Sequence, residues 1–165
     1  MTKIGYHGTS RRHHSSLDKG IKPVASDWDA NSGGELGQGF YVANNIEAAT
    51  IYGYGVCTTQ AHPVAEDNYI DIWAVYSSVE LDQLNHFAVS SQQTWSKFPK
   101  SYFDNFHFVY LYNDPGFKAA LSPPRKATKA EIPEITQIKF NPNIFPFGVL
   151  TLAFHKKIAV NDALG

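Results

Sequence analysis

Cysteine is nearly absent from this chain: Cys57 stands alone. A lone cysteine excludes an internal disulfide and any multi-cysteine metal site. Long hydrophobic runs are missing as well. The N-terminal MTKIGYHG has no apolar secretory core, and no segment is long enough to span a bilayer. An excess of one charge is also missing. Fourteen Lys and Arg face 15 Asp and Glu, a formal net charge of −1 that gives no electrostatic grip on nucleic acid. The local basic groups, Arg11–Arg12 and the stretch from Arg125 to Lys129, read as solvated surface. No GxGxxG or phosphate-loop motif occurs, so the common nucleotide folds lose support. Repeats and low-complexity tracts are absent too. A cytosolic site of action, or delivery into a host cytosol, fits these absences.

What remains is an ordinary globular composition. The 165 residues are 43% hydrophobic and 18% charged, enough for one domain, 1–165, with its own core. Aromatics reach 14%, which favours strands and leaves rings available for stacking. Strands are expected at Lys3 to Thr9, Gly39 to Ala43, Tyr69 to Tyr76, Phe106 to Tyr112, Ile135 to Phe140 and Gly148 to Phe154. Ser10 is placed to cap a short helix from Arg11 to Lys19, with Gly20 as its stop. Asn44 or Asn45 caps a second helix through Tyr52, with Glu47 in its first turn and Gly53 as terminator. Ser77 followed by Glu80 reads as a capping box opening a third helix through about Phe87. Val24 to Gly37 and Gly55 to Asn68 read as loops, Thr94 to Asn105 is ambiguous, and Asn113 to Gly116 is a turn. Short helices that do not alternate with every strand predict an α+β class, mostly antiparallel.

The stretch GQGFYVANN, residues 37 to 45, sets a problem. Gly37 and Gly39 put a permissive backbone beside the large ring of Tyr41, as if something approaches closely there. Tyr6-His7-Gly8-Thr9 lies on the first strand and its exit. Tyr41 follows His7 by 34 residues, and Tyr52 follows Tyr41 by 11.

His-Gly-Thr, then Gly-x-Gly-Phe-Tyr, then a helix carrying a second tyrosine resembles the ADP-ribosyltransferase superfamily. The resemblance is to its His-Tyr-Glu branch, related to poly(ADP-ribose) polymerases and diphtheria toxin. It covers about residues 4 to 53, and the rest only by strand order. It implies two packed, mostly antiparallel sheets with short flanking helices and an NAD cleft. NAD is then the co-substrate. His7 bonds a ribose hydroxyl, the backbone of Gly8 pairs with the nicotinamide carboxamide, and Thr9 adds a hydroxyl. Tyr41 and Tyr52 sandwich the cationic ring, with Gly39 giving room beside Tyr41. The third signature residue falls on Glu134, at the head of a late strand, with Glu131 and Gln137 as competitors. Its implied role is to stabilise the positive charge that develops as nicotinamide leaves. The segment Phe117 to Pro133, with Arg125, Lys126 and Lys129, then meets the acceptor. One departure is Ala49, where those polymerases carry a serine three residues before the second tyrosine; the neighbouring Thr50 points elsewhere on a helix.

The expected activity is mono-ADP-ribosyl transfer from NAD to a nucleophile on a protein, with ubiquitin or another host protein among the candidate acceptors. The chain is expected to act as a monomer, in the manner of an effector or toxin-like enzyme, without membrane or nucleic-acid partners. Two rivals stand beside it: an NAD glycohydrolase, which passes ADP-ribose to water, and a non-catalytic module that binds NAD or ADP-ribose. No metal is expected, since adjacent His13 and His14 diverge by about 100° on a helix. Cys57 reads as structural, and Asp27 and Asp29 as solvated charges.

Overall fold

The computed structural model describes residues 1–21, 40–90, 106–112, 135–141 and 144–163. In chain order the elements are β1 (Thr2–Ser10), α1 (His14–Asp18), β2 (Phe40–Ala43), α2 (Ile46–Thr58), β3 (Tyr69–Ser77), β4 (His86–Ser90), β5 (Phe108–Tyr112), β6 (Ile135–Phe140) and β7 (Leu150–Ala159), joined in places by single 3-10 turns. The class is mixed α+β with few helices. The expected loop at Val24 to Gly37, the ambiguous stretch Thr94 to Asn105, the turn at Asn113 to Gly116 and the segment Phe117 to Pro133 lie outside the described residues.

Contacts group the chain into two compact units, each built from separate segments. The first comprises Met1–Lys22, Val42–Val79 and Phe147–Gly165. Within it β1 runs antiparallel to β3, and β3 antiparallel to β7. β1 also meets the end of β2, with Tyr6 opposite Ala43. β3 carries the run YIDIWAVYS, buried almost throughout, as expected of a strand covered on both faces. Gly5 sits at a register shift in β1 with φ +152°, where an added Cβ would come 2.3 Å from the Ala43 carbonyl oxygen.

Helix α2 starts where the sequence places it. Asn45 is extended, and its side-chain oxygen accepts from the Ala48 N–H at 2.7 Å, with Glu47 in the first turn. The expected stop at Gly53 is corrected: the helix runs on to Thr58. Gly53 is instead buried where the helix crosses β1 and β3. A Cβ there would lie 2.3 Å from Ile70 Cγ2 and 3.2 Å from the Thr9 nitrogen. Beneath the helix, Ala43, Ala49, Cys57, Ile70 and Ile72 form a buried cluster. The expected loop Gly55 to Asn68 accordingly begins as helix, and later includes a 3-10 turn at Ala65–Asn68.

The capping box at Ser77 also fails. The Ser77 hydroxyl donates to the Val79 carbonyl at 2.8 Å and accepts the Val79 N–H at 3.2 Å, a local turn that competes with helix initiation. A 3-10 turn at Leu81–Gln83 and then strand β4 follow. β7 runs five residues further than expected, through the exposed His155, Lys156 and Lys157 to Ala159.

The second unit comprises Pro23–Tyr41 and Glu80–Pro146. Its described core is β4 parallel to β5 and β5 antiparallel to β6. Buried aromatic rings fill it: His86 stacks on Phe108 at 4.8 Å, and Phe140 tilts against Phe145 at 4.5 Å. Burial pushes the Tyr110 hydroxyl up to about 12.

The helix crossing predicts opposite outcomes for two glycines of α2. Gly53→Ala lowers stability by about 1–3 kcal/mol, since its methyl overpacks the seam against β1 and β3. Gly55→Ala, with nothing within 4 Å of the new methyl, raises stability by up to roughly 1 kcal/mol through helix propensity. Denaturant unfolding of the two variants measures both signs.

Candidate active site

Side chains alternate along a strand, so β1 presents two different faces. Its register with β3 sets Gly8 opposite Ile72 and Ser10 opposite Ile70, on the face that α2 covers. His7 lies opposite Trp73 and Thr9 opposite Asp71, on the other face. His7 is half-buried and Thr9 is buried.

Gly8 is bare for a definite reason. A Cβ on it would fall 1.8 Å from the Ala49 carbonyl oxygen, so the backbone of α2 occupies that side. The strand carrying His7-Gly8-Thr9 and the helix carrying Tyr52 are thus locked together within one unit. Tyr52 is half-buried on that helix. Tyr41, in β2, retains 8% exposure and belongs to the second unit. Gly39, Glu134 and its competitor Glu131 lie outside the described residues, as does Gly37. Gln137 is half-buried within β6.

Around the exit of β1 the structure shows two polar networks that sequence reading missed, one around Asp71 on the His7 face and one around Asp67, reached through Ser10. Asp71 is fully buried and holds Arg11 Nη1 at 2.9 Å and His14 Nδ1 at 2.7 Å. Asp67, also buried, takes a paired contact from the Arg12 guanidinium, with Nε at 2.8 Å and Nη2 on the second oxygen. It also accepts from the Ser10 hydroxyl at 2.7 Å and the Val64 N–H at 2.8 Å. Arg11 and Arg12 are therefore not the solvated surface pair expected; each neutralises a buried carboxylate, since an unpaired buried charge is too costly to keep. Ser10 serves twice, because its oxygen also accepts the Arg12 N–H and caps the 3-10 turn leading into α1. The available signal was Asp71 itself, a carboxylate inside an otherwise apolar strand, which demands a partner.

The electrostatics follow from these contacts. The hydrogen bonds of Arg12, then those of Val64 and Ser10, hold the Asp67 carboxyl down to about 2, against the opposing effect of burial. Burial pushes the Cys57 thiol up to about 11, and it donates to the Tyr69 carbonyl at 3.3 Å. A thiol so raised is no nucleophile at neutral pH, in keeping with a structural cysteine. The Trp73 indole N–H is buried without a hydrogen-bond partner among the described residues. Among those residues, no three His, Cys, Asp or Glu side chains converge as a metal site requires. No helix among them is long and apolar enough to cross a membrane.

Comparison of the chain with family models, with curated proteins and with solved structures gives no match.

The Asp67 network predicts an acid-sensitive fold. Its folded carboxyl titrates below the ordinary aspartate value of 3.8, so its contribution is complete above that pH and is lost as pH falls toward about 2. Arg12→Leu removes the largest cause of the shift. Its stability at pH 7 falls by about 3–5 kcal/mol, the cost of stranding a buried carboxylate. The loss of stability between pH 4 and pH 2 flattens relative to wild type, as urea titrations across that range will show.

Proposed function

We propose that the chain is an NAD-dependent mono-ADP-ribosyltransferase, with the two-sheet architecture and NAD cleft that its His-Tyr-Glu pattern resembles. The observation that carries this reading is the seam between β1 and α2. A strand bearing His-Gly-Thr and a helix bearing the second tyrosine are held at backbone contact by Gly8, Ala49 and Gly53. The two motif elements therefore keep a fixed geometry, which recognition of a rigid, flat ring requires.

The residues of the first unit suit NAD chemically. His7, half-buried, offers a donor and an acceptor in one plane to vicinal ribose hydroxyls. Gly8 contributes its peptide rather than a side chain. Thr9 supplies a hydroxyl one residue on. The phenol of Tyr52, half-buried, can stack on a cationic pyridinium, an interaction of roughly 1–2 kcal/mol when desolvated. Gly39, Tyr41 and Glu134 take the roles that the resemblance implies.

In the reaction, the bond between the ribose carbon and nicotinamide nitrogen breaks, and its electron pair stays with nicotinamide, cancelling the ring's charge. Positive charge grows on the ribose. A carboxylate at Glu134, accepting a hydrogen bond from the neighbouring ribose hydroxyl, stabilises that charge as carboxylates do at glycosidic centres. A nucleophile on a protein then forms the new bond to the same carbon.

Incubation of the purified protein with labelled NAD and a cell lysate tests this reading. A discrete labelled protein band with released nicotinamide is the expected outcome, and Glu134→Ala lowers its rate by on the order of 100-fold. His7→Ala weakens NAD binding by about tenfold, the loss of a hydrogen-bonded contact. Free ADP-ribose without a labelled band points to the hydrolase instead. Binding without turnover points to the recruiting module, and neither binding nor turnover ends the proposal.

A further inference from the structure

The His14 imidazole, its carboxylate partner and the two rings that hold it take no part in the chemistry above. Asp71, fully buried, bonds His14 Nδ1 at 2.7 Å, while Arg11 occupies its other oxygen at 2.9 Å. The imidazole sits between two aromatic rings, with centroids 5.1 Å from Trp73 and 5.0 Å from Phe154. Trp73 and Phe154 themselves meet edge-on at 5.4 Å. The ring is thus fixed in tilt and rotation, yet its side chain keeps 30% exposure.

This arrangement decides the tautomer. A carboxylate only accepts, so Nδ1 carries the proton and donates. Nε2 is left with a lone pair, and no hydrogen bond reaches it among the described residues. A carboxylate behind an imidazole both orients it and stabilises the imidazolium once a proton arrives. The location matters equally. His7 lies opposite Trp73 and Thr9 opposite Asp71, so the imidazole shares its sheet face with the His-Gly-Thr strand. Among the described residues, the other charged groups set on this face are Arg11 and Lys157, the latter opposite Asp71 on β7.

We propose that His14 is the general base of the transfer, removing the proton of the attacking nucleophile through Nε2. The inference rests on the transferase reading. The step balances: the nucleophile's O–H or N–H proton passes to Nε2, and its lone pair forms the bond to the ribose carbon. Nicotinamide departs with the electrons of the broken bond, and the imidazolium later returns its proton to solvent. Asp71 positions the base, and Arg11 limits the charge buried beneath it. The alternative role, a plug that merely satisfies Asp71, would cost stability when removed and would not be replaced by an added base.

Steady-state kinetics with NAD on wild type, His14→Asn and His14→Ala separate the two roles. General-base removal lowers kcat by about 100-fold, with the KM for NAD little changed. In His14→Ala, added imidazole enters the slot between Trp73 and Phe154 and restores part of the rate. An unchanged kcat in either variant, or a reduced kcat that imidazole does not lift, overturns the inference while leaving the transferase reading intact. Wild-type protein that leaves NAD untouched sinks that reading and this role with it. Should both variants fail to fold, the unmodified protein decides. The nitrogen-15 spectrum of its neutral histidine rings should show His14 as the Nδ1–H tautomer. The Nε2–H tautomer would refute the assignment.

Discussion

Helix α2 lies on strand β1 with backbone against backbone, and the composition of both elements follows from that. At Gly8 there is no room for a Cβ, because the Ala49 carbonyl already stands in its direction. One turn later along the helix, Gly53 faces the Thr9 nitrogen and Ile70. Small residues on both elements bring the helix axis nearer the sheet than ordinary side chains would allow. Ile70, Ile72, Ala43 and Cys57 close around the seam and exclude water from it. The helix contains three threonines or near-terminal threonine hydroxyls bonded back to carbonyls four residues earlier, such as Thr50 to Ile46 at 2.7 Å. Its residues are poor helix formers on average, so it is packing rather than propensity that keeps it helical.

The exit of β1 gathers the buried polar groups of this unit. Around it the chain sets two buried carboxylates, Asp67 and Asp71, against Arg12, Arg11 and His14. Buried ion pairs are weak evidence of net stability, because desolvation of both partners offsets their attraction. Their effect on geometry is clearer. They tie the turn after β1 and the short α1 onto β3 and the 3-10 turn before it, through contacts whose directions are fixed by planar groups. A five-residue helix such as α1 could not hold its own shape in water. Pinned through His14 and Arg11, it becomes a stationary support for side chains beside His7.

The residues carry this history unevenly. Local signals were legible: Ser10 and Asn45 cap as their chemistry dictates, and the aromatic, β-branched runs at β1, β3, β5 and β6 form strands. Signals whose meaning depends on distant partners were not. Arg11 and Arg12 looked like surface because their carboxylates lie 60 and 55 residues away. Gly53 resembles a helix stop until Ile70 is brought against it. Ser77 with Glu80 has the letters of a capping box, yet Ser77 spends its hydroxyl on Val79. The polar end of β7 hid a strand because an outer strand carries lysines that discourage pairing with other chains. His7, Gly8 and Tyr52 stand out by pattern alone, and the packing reason for Gly8 emerges only with α2 in place.

On the transferase reading, the same seam accounts for the departure at Ala49. In the polymerases that the motif resembles, this position carries a serine that bonds nicotinamide. Here Ala49 is buried at the point where α2 presses on Gly8. A hydroxyl there would turn back to a helix carbonyl four residues earlier, as Thr50 does to Ile46, which slightly destabilises and bends a helix. Alanine avoids that bend and lets the backbones close. On the transferase reading, recognition of the carboxamide then falls to the Gly8 peptide and Thr9, and ring stacking takes a larger share of the binding. Such a site would hold the charged pyridinium better than the neutral amide that leaves, because stacking on a phenol is strengthened by the positive charge.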